Sequence, residues 1–175
     1  MKYAIAVHGT RGDVEPATAI ALELLRRGHE VRMAVPPNLV AFAESVGIPS
    51  PVLPYGTDSQ LQLEADGFRD WWKLRNPLTV VEKTRELMIG DWPQMGETLA
   101  AVATGADLIL TGTTYQEVAA NVAESRDIPM AALHYFPART NTKILPVRLP
   151  LAVVRPAWAV AEWALWRILK PAEDD

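Results

Sequence analysis

The residues best placed to do chemistry stand close together near the start of this chain. Gly9-Thr10-Arg11-Gly12-Asp13-Val14-Glu15-Pro16 sets one carboxylate, Asp13, behind two glycines and just ahead of a helical pattern. Glycines let a backbone come close to a ligand. A carboxylate held in such a loop can accept a proton from a hydroxyl as it attacks an electrophile. The bland alternative is that Asp13 caps the helix. Asp is a good N-cap, but with Asp13 in that position Pro16 would be N3, and proline has no N–H to offer. The residues alone leave both roles open. Arg11-Gly12-Asp13 also spells a cell-adhesion tripeptide, which we read as coincidence.

Other chemistries fail on spacing. The dinucleotide fingerprint G-x-G-x-x-G is not met by Gly9-x-x-Gly12, and the acid expected about 20 residues on is replaced by Arg32-Met33-Ala34-Val35-Pro36. Neither the P-loop nor the G-x-S-x-G elbow occurs. With 0 Cys, thiolate metal sites and cysteine nucleophiles are excluded. The 3 His, at positions 8, 29 and 134, are widely spaced and form no HExxH, so no metal site is expected. His134 follows an expected strand and could line a substrate pocket or simply be hydrogen-bonded structure. His8 could likewise approach such a pocket, with a side chain packed at the strand end the simpler reading, and His29 reads as structural. Trp71, Trp72 and Trp92 could form an apolar pocket, with core packing the simpler reading.

The 175 residues suit one domain, or about one and a half. A 49% hydrophobic, 22% charged composition can bury a core. Seventeen basic against 21 acidic residues give a net charge of −4, which argues against a nucleic-acid surface. The apolar run Tyr3–Val7 is too short for a secretory signal. No run of about 18 uncharged apolar residues occurs. A cytoplasmic protein, working at the periphery of a membrane, is the expectation.

The elements that must position the loop alternate strand and helix. Tyr3–Val7 reads as a buried strand. Ala17, Ile20, Ala21, Leu24 and Leu25 share one face of a helix opened near Pro16 and closed by Gly28. His29–Val35 reads as a strand, Leu39–Val46 as a helix, and Ile48–Leu53 as a strand weakened by prolines. Helices are expected after Pro77 and after Asp91-Trp92-Pro93. Asp107–Thr111 reads as a strand, Thr114 and Glu117 as a capping box for a helix to about Arg126, and Met130–Tyr135 as a strand. The fold class is α/β: a parallel, Rossmann-like sheet flanked by helices. Residues 1–150 form that domain. Residues 151–175 form a linker and a Trp-rich helix, with Val160 on its apolar face and Trp163 and Trp166 on its charged side.

Gly9 to Pro16, followed by Ala21-Leu22-Glu23-Leu24-Leu25-Arg26-Arg27-Gly28-His29 and on to Pro37, resembles the amino-terminal half of family 1 GT-B glycosyltransferases. The similarity is to the vancomycin-type glycopeptide, sterol and mycobacterial glycolipid enzymes. It continues at Ala106–Gly112, Val118–Pro129 and His134–Pro137, and weakens between about 55 and 100. The resemblance implies a GT-B amino-terminal domain that binds the acceptor, with inverting transfer of a hexose from a UDP or TDP sugar to a hydroxyl of a lipid, sterol or natural product. It implies Asp13 as the base and Gly9, Thr10, Arg11 and Gly12 as the loop facing the cleft. It implies no tightly bound cofactor and no metal, the nucleotide sugar serving as co-substrate.

Such enzymes are about twice this length, so a donor-binding domain or subunit is expected from elsewhere. Trp163 and Trp166 would face that missing half or touch a membrane surface. A rival reading is a non-catalytic stand-alone subunit docking a partner through the Trp helix. A weaker one is a metabolite-binding regulator.

Overall fold

A computed structural model describes residues 1–49, 51–64, 90–135, Val160 and Trp163. The chain divides into two compact units, Met1–Leu133 and His134–Asp175.

In the first unit five parallel strands form one sheet: β1 (Lys2–Ala6), β2 (Glu30–Val35), β3 (Leu53–Pro54), β4 (Leu108–Thr111) and β5 (Met130–Ala132). Their order is β3-β2-β1-β4-β5. The helices are α1 (Arg11–Arg26), α2 (Val40–Ser45, entered through a 3-10 turn at Pro37–Leu39), α3 (Ser59–Glu64), α4 (Trp92–Val102) and α5 (Gln116–Ser125). A parallel neighbour needs a crossover, which is why each pair of strands is separated by helical sequence.

Both faces of the sheet are covered. Side chains alternate along a strand. Ala4 and Ala6 of β1, Ala34 of β2 and Ile109 of β4 join Tyr55, Met95, Leu99, Val118 and Val122 in one buried cluster. Alanine at three floor positions lets α4 and α5 sit close to the strands. Ile5, Val7, Met33 and Val35 alternate to the other side and are fully buried. There α1 lies along β2 and buries Val14, Ala17 and Ala21.

The ends of α1 follow local chemistry. It closes at Gly28, whose φ is +79°, with Gly28 N–H donating to the Leu25 carbonyl (2.9 Å) and His29 N–H to the Leu24 carbonyl (3.1 Å). Its start differs from expectation. The helix opens at Arg11, with Thr10 as N-cap and Asp13 at N3, so Pro16 lies inside it rather than at its mouth. A proline in the second turn loses its own N–H bond to the carbonyl four residues back, that of Gly12. The first turn is held by the Asp13 and Val14 N–H groups, which donate to the Thr10 carbonyl (2.9 and 3.1 Å), and by the Asp13 carboxylate, which accepts the Thr10 N–H.

Two other expectations change. The strand expected at 48–53 contracts to Leu53–Pro54, since Pro49 and Pro51 cannot donate to a ladder. Thr114 does not cap α5: the N-cap is Tyr115, in left-handed backbone with φ 57°, and the Thr114 hydroxyl donates to the His8 carbonyl (2.7 Å). The helix expected after Pro77, with Trp71 and Trp72, lies outside the described residues. In the second unit Val160 and Trp163 are helical and exposed; Trp166 lies outside the described residues. No helix among the described residues is long and apolar enough to cross a membrane.

Candidate functional site

Strand order reverses direction of progression between β1 and β4, and at such a switch point a crevice opens beyond the carboxyl ends of the strands. The segment leaving β1 carries His8, Gly9, Thr10 and Asp13. The segment leaving β4 carries Gly112 and Thr114. The two are held together tightly. The Thr114–His8 bond crosses the crevice, and a Cβ on Gly112 would stand 3.1 Å from Val7 Cγ1.

Asp13 is half-buried in the first turn of α1. Its Oδ2 accepts the Thr10 backbone N–H at 2.9 Å and the Thr10 hydroxyl at 3.3 Å. Among the described residues no hydrogen bond reaches Oδ1. One oxygen is therefore anchored, and the other has no such tie among the described residues. The helix N-terminus beneath it favours negative charge. Gly9 makes the arrangement feasible: its φ is +140°, and a Cβ there would collide with the Asp13 carboxylate. Gly12 is under no such demand, its nearest neighbour for a Cβ being Thr10 Oγ1 at 3.6 Å.

Gly9, Thr10, Gly12 and Asp13 thus form one turn. Arg11 departs from them. Its guanidinium pairs with Glu15 at 3.0 Å and lies 4.6 Å from the centre of the Phe42 ring of α2. Both members of the pair are exposed, and an Arg over an aromatic face gains modestly there. His134 is exposed two residues beyond β5 and opens the second unit.

His8 carries more than a packed side chain. It continues the alternation of Ala4 and Ala6 and is buried. Its Nε2 lies 3.0 Å from the Thr57 carbonyl, and its ring meets Tyr115 edge-on at 5.0 Å. Gly56, with φ +69°, passes so close that a Cβ would stand 2.7 Å from His8 Cδ2. Burial lowers the His8 pKa; the Thr57 carbonyl and the charges of Asp91 and Asp13 oppose that. A neutral ring facing a carbonyl carries its proton on Nε2. Thr57 N–H in turn donates to Asp91 Oδ2 at 3.1 Å. Only the alternation of small residues up to His8 hinted at this; Thr57 and Asp91 had no sequence signal.

Nearby polar atoms are strained for partners. Among the described residues, the Tyr55 hydroxyl and Thr111 Oγ1 are buried with no hydrogen bond. Burial, reinforced by Tyr115, pushes the Tyr55 phenol above its ordinary range. A cleft of about 400 Å³ exists at the opposite end of β2, lined by Leu25, Glu30, Val31, Pro49, Pro51 and Val102. It lies at the amino ends of the strands, away from Asp13, and offers little chemistry.

The family described as Glycosyltransferase family 28 N-terminal domain matches residues 3–146. An uncharacterized glycosyltransferase of Mycobacterium tuberculosis is 47% identical over 176 residues, covering 99% of this chain and 42% of the relative. The chain thus spans about two fifths of that relative's length. Among solved structures, the calicheamicin glycosyltransferase CalG4 aligns with a TM-score of 0.60 at 14% identity, over 97% of this chain and 42% of that one. The spinosyn rhamnosyltransferase SpnG, complexed with thymidine diphosphate, aligns with a TM-score of 0.55 at 14% identity, over 87% and 38%. These two likenesses concern the fold. The switch-point loop, the parallel sheet and the family match together make this chain a member of the glycosyltransferase family 28 N-terminal domain family, corresponding to the amino-terminal half of a GT-B glycosyltransferase.

Proposed function

We propose that this chain is the acceptor-binding half of an inverting glycosyltransferase, which moves a hexose from a UDP or TDP sugar to a hydroxyl of a lipid, sterol or natural product. The observation that carries it is the Asp13 carboxylate, tied to Thr10 through Oδ2 with Oδ1 left open at the switch point. Thymidine diphosphate in the spinosyn rhamnosyltransferase supports a nucleotide-linked donor. Donor binding falls to a second half, supplied in the same chain or by a partner.

In this reading the acceptor hydroxyl sits against Asp13 Oδ1 and its oxygen attacks the anomeric carbon. The bond from that carbon to the nucleotide diphosphate breaks on the opposite face, inverting the centre. The hydroxyl proton passes to Asp13. A carboxylate is a weak base near neutral pH, so the proton moves as the new bond forms rather than before it. Gly9 and Thr10 keep the carboxylate aimed.

The test joins this chain to the carboxyl-terminal half of the Mycobacterium tuberculosis relative. TDP-glucose and UDP-glucose are offered with a sterol in mixed micelles and with 4-methylumbelliferone. Asp13→Asn keeps an oxygen for the Thr10 N–H, so folding should persist while turnover falls about 10²–10⁴-fold. Turnover equal to that of the parent would reject Asp13 as the base.

A further inference from the structure

His8 joins three segments at the carboxyl end of the sheet. Its carbonyl takes the Thr114 hydroxyl (2.7 Å), fixing the segment after β4. Its Nε2 holds the Thr57 carbonyl (3.0 Å), fixing the segment after β3. Thr57 N–H is held by Asp91 (3.1 Å), the residue that opens α4. Thr57 and Asp91 are 34 residues apart, so this bond ties the segment after β3 to the start of α4. The ring itself is confined by Tyr115 on its edge and by Gly56 beside Cδ2. On its other side the chain needs only Gly9, in a backbone that favours glycine, to reach the Thr10–Asp13 turn. Just ahead of Gly56, the Tyr55 hydroxyl is buried with no hydrogen-bond partner among the described residues.

We infer that His8 is a positioning residue for glycosyl transfer: it clasps Thr57, and through it Asp91, so that the segments flanking Asp13 hold an acceptor larger than water in line with Oδ1. This rests on the transferase reading. An attack geometry tolerates little error, and a displacement of about 1 Å can lose about 10²-fold in rate. Water as acceptor needs no such hold. Breaking the clasp should therefore lower transfer to an organic hydroxyl while sparing hydrolysis of the sugar nucleotide, a split that general loss of structure would not produce.

Two variants separate the bond from the bulk. His8→Phe keeps a ring against Tyr115 and Gly56 but leaves the Thr57 carbonyl without its donor. His8→Gln can return an N–H near the Nε2 position. The first measurement uses the 175-residue chain alone. Amide hydrogen exchange at Thr57 should speed up at least about tenfold in His8→Phe and stay near the parent rate in His8→Gln; equal rates in all three proteins overturn the clasp. The second uses the joined transferase with the acceptor that turns over in the Asp13 test. His8→Phe should raise the acceptor KM and lower kcat/KM about 10–100-fold, with donor hydrolysis kept and His8→Gln recovering much of the loss. Equal falls in transfer and hydrolysis, or no fall in either, overturn the positioning role. Failure of the transferase reading itself shows differently: Asp13→Asn would then leave both rates untouched whatever His8 does.

Discussion

In the proposed mechanism Asp13 takes two jobs, because its two oxygens are treated differently. Oδ2 belongs to the helix, as the acceptor that satisfies the Thr10 N–H, and Oδ1 belongs to the crevice. Capping and proton acceptance, opposed on the sequence, are thus compatible. The turn itself was legible, since Gly9 and Gly12 precede an acid at the end of a strand. The capping was not, because it was weighed with Asp13 as N-cap, whereas Thr10 holds that position and the helix starts at Arg11. The bond His8 makes was not legible: its partner Thr57 is 49 residues away, and no local pattern encodes that distance. Two predictions belong at this scale. Gly9→Ala forces a side chain into positive φ and into the Asp13 carboxylate, and should cost about 1–3 kcal/mol of stability, read from the denaturant midpoint. His8 is held below the ordinary imidazole value of 6.5 by burial, so below that pH the unfolded chain binds a proton the folded ring refuses. Stability from this source is complete above about 6.5 and declines as pH falls, until the folded ring also protonates; the nearby carboxylates of Asp91 and Asp13 soften the decline. Melting curves between about pH 7 and 5 should therefore slope less in His8→Gln than in the parent. Parallel slopes would contradict it.

Among the elements, α4 has the most to hold. Its Met95 and Leu99 are fully buried against the alanine floor of β1 and β2, and Asp91 at its entrance anchors Thr57. Leu99→Ala leaves a cavity the close-packed helices cannot collapse into, and should cost about 2–5 kcal/mol by chemical denaturation. The last turn of α1 makes the contrasting case. Glu23 receives both Arg26 and Arg27, which pull its carboxyl down to about 2. All three groups face water, so Glu23→Gln should barely move the melting midpoint. α1 was legible because its apolar residues recur with the helical period and Gly28 marks its end, and α4 because Asp91-Trp92-Pro93 marks its start. β3 was misjudged in length, since a run of apolar residues says nothing of whether Pro49 and Pro51 can reach a neighbouring strand. Thr114 was misread because Thr-x-x-Glu matches a capping box by spacing, whereas its hydroxyl is drawn off by the His8 carbonyl.

For the molecule as a whole, alternation of strand and helix was enough to give the α/β class, and the parallel sheet follows from it. What alternation does not contain is the strand order, which is decided by long-range pairing: β1 sits at the centre, with β2 on one side and β4 on the other. Tyr3 stands opposite Leu108, and Lys2 N–H donates to Asp107 Oδ2 across 105 residues. This central place has a consequence in time. On a ribosome adding about 5–20 residues per second, β1 and β2 emerge together, but roughly 4–16 s pass before the residues up to Thr114 follow at that pace. Through that interval one edge of β1 stands bare and the crevice that holds Asp13 has only one wall. The nascent chain is then most exposed to wrong strand partners and most dependent on chaperones, and slower codons placed between β2 and β4 would lengthen its risk.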